Sequence, residues 1–148
     1  MEKENVPVVT TIMGKGAVPT THPLYIGNCG MHGKYAANMA VMECDLLFSI
    51  GTRFNDRITG DLNEFAPHAQ IVHIDVDTAS ISRNVVVDVP VVADAGVALE
   101  KLLEWAEKKD TAKWQEQIHR WEKENPLAMR RDHGISPQMI MELSLIHI

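Results

Sequence analysis

Residues 45–60 read DLLFSIGTRFNDRITG, an apolar run that stops at Gly51 and passes straight into charge. Leu46–Ile50 is short and apolar, bounded by Asp45 and Gly51, and predicts a buried strand. A turn alone needs neither Arg53 and Arg57 nor Asn55 and Asp56. Their place at the carboxyl end of a strand points to a ligand, because open parallel sheets bind ligands at that edge.

The same punctuation recurs on both sides of this stretch. Val6–Thr10 (VPVVT) predicts an earlier strand, Ile71–Ile74 (IVHI) a later one ending in DVD, and Val89–Val92 (VPVV) a fourth ending in ADAG. Tyr35, Met39 and Met42 recur at helical spacing, so a helix is expected from near Gly33 to before Asp45. Ala95–Lys109 predicts an amphipathic helix capped by Asp94, with Val97, Leu99, Leu102, Leu103 and Trp105 toward one side. Thr111–Asn125 predicts another, closed by Pro126, in which Trp114, Ile118 and Trp121 are packing residues. A further helix begins near Pro137. MGKGAVPTTHPLYIGNCG reads as one long loop. Strands alternating with helices give an α/β fold: a Rossmann-like, mostly parallel sheet with flanking helices, covered on both faces.

Composition narrows the function. At 148 residues the chain holds one domain with a real core, and a net charge of −6 argues against a broad nucleic-acid face. Two cysteines, Cys29 and Cys44, are too few for a disulfide framework and fit a reducing cytoplasm. No stretch has the length and apolarity of a membrane span, and the N-terminus lacks a signal-peptide pattern.

GNCGMHGKYAAN is a glycine-rich loop feeding a helix. Gly27, Gly30 and Gly33 let backbone approach a ligand, and a helix N-terminus favours phosphate, although a flexible turn reads equally well. Asp75 and Asp94, at strand ends, are nucleotide-ribose contacts or else turn and helix caps. Arg53 and Arg57 either pair with Asp56 on a solvated loop or grip a phosphate or carboxylate. Cys29 and His32 have zinc-like spacing without a second ligand pair, so no metal site is expected. Gly60, Asp61 and Asn84 do not make a diphosphate–magnesium motif. His73 reads as a strand residue satisfied by its neighbours.

Together PVVTTIMGKGA, GMHGKYAANMAV, DLLFSIGTRFNDRITG, FAPHAQIVHIDVD and DVPVVADAGVALEKLL resemble the central domain of the acetolactate synthase (acetohydroxyacid synthase) large-subunit family of thiamine-diphosphate enzymes, over about Val6–Leu143. The resemblance implies condensation of two pyruvates, or of pyruvate with 2-oxobutyrate, releasing CO2 in branched-chain amino-acid synthesis. It implies FAD in this domain, held without net redox chemistry by Thr11 and Ile12, by Cys29, Gly30, Met31 and His32, by Gly51, Thr52, Arg53, Phe54 and Asn55, by Asp75 and Val76, and by Asp94 and Ala95. Arg57, with Asp56 beside it, would line the substrate channel. The family usually has leucine at Cys29 and often aspartate at Asn55. Thiamine diphosphate and Mg²⁺ would bind outside this chain. Homodimers or tetramers with a regulatory small subunit are implied, with no nucleic-acid or membrane partner.

The expected organisation is a partial FAD-binding domain over 1–109, a helical linker over 110–135 and the start of a thiamine-diphosphate domain over 136–148. Family central domains also carry a strand, a glycine turn and a helix before the segment matching Val6, so the sheet is expected to be incomplete on that side. SLIHI departs from the family. The isolated chain is expected to be inactive. The alternatives are a nucleotide-binding module without catalysis, and the central domain of another thiamine-diphosphate decarboxylase or carboligase. RFNDR argues against the second.

Overall fold

A computed structural model describes residues 1–127 and 134–146. Residues 128–133 of the expected linker and 147–148 of SLIHI lie outside the described residues.

The elements run β1 (Val8–Thr10), β2 (Tyr25–Asn28), α1 (Tyr35–Met42), β3 (Leu46–Ile50), α2 (Asp56–Thr59), β4 (Gln70–Asp75), β5 (Val89–Val92), α3 (Ala95–Trp105), α4 (Ala112–Glu124) and α5 (Pro137–Ile146). The three strand pairs are all parallel. They form two sheets, β1–β2 and β3–β4–β5, with flanking helices, and the α/β expectation holds. β-Branched residues supply most of β1 and β5 and half of β4, which suits an extended backbone. Register in the larger sheet is pinned by Asp88, whose carboxylate accepts from the Ile71 N–H at 2.7 Å while its own N–H donates to the Ile71 carbonyl at 3.0 Å.

Two elements are unforeseen and a third is shorter than expected. β2 lies inside the segment read as a loop: Tyr25–Asn28 has only two apolar residues beside a glycine, too weak a pattern to stand out among prolines. α2 is a single turn, too short for a helical period to show. α3 stops at Trp105, short of Lys109, where Ala106 turns extended.

α1 contributes to both core clusters. Its alanines Ala36, Ala37 and Ala40 let it lie close to Ile26 of β2, with Ile118 of α4 closing the cluster. Val41, one step on, belongs to a second cluster with Phe54, Phe65, Ala66 and Ile71, against which Leu47 of β3 packs. Val9 of β1 touches both clusters. Burying each large apolar side chain contributes about 1.5–3 kcal/mol. Ile118 is buried as its spacing predicts, and Trp114 meets Trp121 edge to face at 5.6 Å.

The opposite face is different. Ile74 of β4 is fully buried and Ala98 of α3 is buried, but Leu46, Phe48 and Ile50 of β3 are exposed. So are Val97, Leu99, Leu102, Leu103 and Trp105, the apolar side expected to seat α3. The expectation of cover on both faces fails here, because the described residues supply nothing to lie over β3.

Candidate functional site

The carboxyl ends of the parallel strands gather the expected ligand residues. Thr11 and Ile12 follow β1, Cys29–His32 follow β2, Gly51–Asn55 follow β3, Asp75 ends β4 with Val76 next, and Asp94 with Ala95 follows β5.

The loop after β2 is built by backbone contacts that demand glycine. Gly30 has φ +104°, and a Cβ there would sit 2.7 Å from the Arg57 carbonyl oxygen. At Gly33 a Cβ would lie 2.5 Å from the Asn28 carbonyl oxygen. Asn38 of α1 clamps the loop from below. Its Oδ1 accepts from the Gly30 N–H at 2.7 Å, and its amide donates to the Gly30 carbonyl at 3.0 Å. The Met31 N–H donates to the Arg57 carbonyl at 2.8 Å, which joins this loop to α2.

The DRIT turn of α2 therefore stands over the glycine loop. Between them lies an open cavity of about 340 Å³, lined by Gly30, Met31, Asn38, Arg57, Thr59 and Phe65 among others. Arg57 Nε is 3.9 Å from Asp56 Oδ2, and Arg57 Nη1 reaches the Met31 sulfur at 3.4 Å. Both charged groups are exposed, so the ion pair adds little and the guanidinium keeps donors for a ligand. Arg53 is exposed on the same loop, and its carbonyl accepts from the Asn84 amide at 3.1 Å.

Phe54 divides its roles between backbone and side chain. Its φ is +47°, unusual for a bulky residue, and its side chain turns into the core at 4% exposure. The ring meets Phe65 at 5.8 Å and His73 at 5.0 Å, both edge to face. Only its backbone is left for a ligand. Burial of the ring supports the inverted backbone at the strand end, the sort of strain that clusters at functional loops.

His73 corrects an expectation. It is 0% exposed, and neither ring nitrogen has a hydrogen-bond partner. Its Nε2 lies 3.8 Å from Asp75 Oδ2, beyond hydrogen-bond reach. Buried polar groups are rarely left this way. Asp75 Oδ1 already accepts from the Asp77 N–H at 2.8 Å, so one oxygen closes the turn and the other stays available. Asp94 is a helix cap: Oδ1 accepts from the Gly96 and Val97 N–H groups at 2.9 and 3.2 Å.

The donor set fits a flavin dinucleotide. Among the described residues, the N–H groups of His32, Thr52 and Arg53 donate to no protein atom, which suits a diphosphate. Glycine at 30 and 33 keeps the loop low where a side chain would block it. Ile12, Met31 and Val76 expose apolar surface on the loops that follow β1, β2 and β4. Burial pushes the Cys29 thiol up from its ordinary pKa, so it stays neutral and unreactive in this loop. No cluster of three metal-ligating side chains occurs among the described residues, and no helix there is long and apolar enough to cross a membrane.

Comparison with known proteins adds an independent finding. Residues 1–102 match the family described as thiamine pyrophosphate enzyme, central domain. A probable acetolactate synthase large subunit of Methanocaldococcus jannaschii is 48% identical over 141 residues, covering 93% of this chain and 24% of the relative. The acetolactate synthase large subunit of Cyanidium caldarium is 42% identical, covering 95% and 26%. That of Parasynechococcus marenigrum is 43% identical, covering 95% and 24%. The chain thus spans about a quarter of the length of the curated relatives it matches.

Proposed function

The chain belongs to the thiamine pyrophosphate enzymes, as their central domain, and from that premise we propose that it forms the FAD-binding part of an acetolactate synthase large subunit. One observation supports this reading above the others: the strand ends present free N–H groups, a glycine cradle and an available Asp75 oxygen along one edge. Gly51–Asn55, with Cys29–His32, would hold the diphosphate and flavin. Asp75 and Val76 would take the ribose side, with Thr11, Ile12, Asp94 and Ala95 at the margins. Arg57, beside Asp56, would receive the pyruvate or 2-oxobutyrate carboxylate on its way to the reaction centre.

In the parent reaction two pyruvates, or pyruvate and 2-oxobutyrate, join with loss of one CO2, toward valine, leucine and isoleucine. Thiamine diphosphate, held with Mg²⁺ by other domains, supplies the carbanion stabilisation that this step requires. FAD is structural, and no residue of this chain carries out the carbon–carbon step. The parent enzyme would work in the cytoplasm as a homodimer or tetramer with its small subunit. Residues 1–109 would be the flavin domain, 110–135 the linker and 136–148 the start of the thiamine-diphosphate domain.

Flavin titration of the purified chain tests the reading. Saturable quenching of FAD fluorescence, together with a rise in melting temperature, is expected. No change in either at saturating FAD would refute it. Supplied with FAD, thiamine diphosphate and Mg²⁺, the chain alone should give no acetolactate from pyruvate.

A further inference from the structure

His73 is a fully buried polar side chain to which the flavin reading gives no part. Ile71, His73 and Asp75 alternate along β4 onto one face. The imidazole therefore stands between Ile71 of the second core cluster and the carboxylate at the strand end. Its neighbours across the sheet offer it nothing. Ser49 of β3 and Pro90 of β5 are opposite in register. Ser49 makes no hydrogen bond to the ring, and proline has no polar side chain. The edge of Phe54 or of the ring itself fills the remaining contact, at 5.0 Å between centroids. Among the described residues Asp75 is the one carboxylate close to a ring nitrogen, with Nε2 3.8 Å from Oδ2. A desolvated ring without a partner costs stability, and leucine would serve packing better.

The carboxylate has only one oxygen assigned. Oδ1 accepts from the Asp77 N–H at 2.8 Å, which pins one corner and lets the other turn. Oδ2 needs to come only about 0.8 Å nearer to His73 to reach an ordinary N–H···O distance. A histidine carrying hydrogen on Nε2 supplies the donor, and a carboxylate oxygen so bound keeps a lone pair for a ligand hydroxyl. The Asp75 side chain is 10% exposed, so a ligand laid over the strand end takes its remaining water away. Oδ2 then needs a donor, and an N–H donating to a carboxylate is strongest where water is excluded.

We propose that His73 is a positioning residue for flavin binding: when FAD covers the strand end, its Nε2–H donates to Asp75 Oδ2 and fixes the carboxylate that takes the ribose hydroxyls. The imidazole touches no ligand itself. This inference rests on the flavin reading and assigns that site a residue behind its ligand edge. The bond is made only in the loaded protein, so the ring destabilises the empty chain and strengthens the loaded one.

Fluorescence titration with FAD and urea unfolding, both on the full chain, test this together. His73→Leu removes the donor and keeps an apolar side chain. It should weaken FAD binding about tenfold, the scale of one hydrogen bond to a charged group, while the ligand-free chain unfolds at higher urea. His73→Gln carries an amide N–H near the position of Nε2 and should bring FAD affinity back to within about threefold of the unaltered chain. In ¹⁵N-resolved spectra of the unaltered chain, the His73 Nε2–H proton should move downfield at saturating FAD. Equal weakening by the Leu and Gln variants overturns the inference, as does an unmoved Nε2–H signal. A ligand-free His73→Leu chain less stable than the unaltered one overturns it too. If the unaltered chain takes no FAD, the flavin reading fails and this inference with it. If it takes FAD and His73→Leu binds as tightly, this inference alone is refuted.

Discussion

Gly30→Ala isolates the contact that holds the glycine loop to α2. Gly16 provides the matched control, because its φ of +99° is almost that of Gly30 at +104° and nothing lies within 4 Å of its added Cβ. The backbone penalty for a side chain at positive φ, about 1–2 kcal/mol, is therefore common to both changes. What differs is the neighbour. A Cβ at position 30 meets the Arg57 carbonyl oxygen at 2.7 Å and Ile58 Cδ1 at 3.1 Å. Ordinary contact begins near 3.4 Å, so loop and turn must part by roughly 0.7 Å. That carbonyl is the acceptor of the Met31 N–H at 2.8 Å, and Gly30 is held on its other side by two bonds to Asn38. Losing two of these three at about 1 kcal/mol each makes Gly30→Ala roughly 2 kcal/mol costlier than Gly16→Ala. Urea unfolding of both variants measures the difference. FAD titration should show weakened binding only for Gly30→Ala. Equal unfolding midpoints for the two would refute the steric argument.

Three further outcomes follow from named groups. His73→Leu removes an imidazole that is buried without partners, and should raise the unfolding free energy measured in urea by about 1 kcal/mol in the absence of ligand; a fall would show that the ring is satisfied in solution. Asp94→Ala removes the cap of α3 and should cost about 1 kcal/mol, with amide exchange quickening first at Gly96 and Val97. Burial, with the neighbouring Asp45 carboxylate, raises the Cys44 thiol from 9.0 to about 11. The unfolded chain then loses this proton before the folded one does, so stability declines as pH rises from about 9 to about 11. Cys44→Ala should flatten that alkaline limb of the urea midpoint, and an unchanged limb would count against the burial argument.

Strong apolar runs made β3, β4 and β5 readable from sequence, since each is bracketed by glycine or acid and rich in branched residues. α4 was equally legible through Trp114, Ile118 and Trp121. β2 was hidden because strand identity there comes from pairing with β1, a long-range property, and not from Tyr-Ile-Gly-Asn itself. The glycine loop was visible as composition, but its reason was not: Gly30 is fixed by a carbonyl twenty-seven positions away at Arg57. Phe54 shows the same limit. Its position at the ligand edge follows from the strand before it, whereas its inverted backbone and buried ring depend on Phe65 and His73. The apolar stripe of α3 is legible as a stripe, but a periodic pattern does not say whether a partner is present.

Two modest hydrogen bonds reach across most of the chain. The Lys109 N–H donates to the Glu4 carbonyl at 3.0 Å, and the Thr111 hydroxyl donates to the Asn5 carbonyl at 2.6 Å. Residues more than a hundred positions apart thus share one corner, and everything between them forms a closed excursion. A unit with neighbouring points of departure and return can be spliced into a surface turn of a host protein without stretching that host. It can also be re-cut, with a short bridge across the corner and new ends in an exposed loop such as Gly14–Gly16, and keep the same strand order.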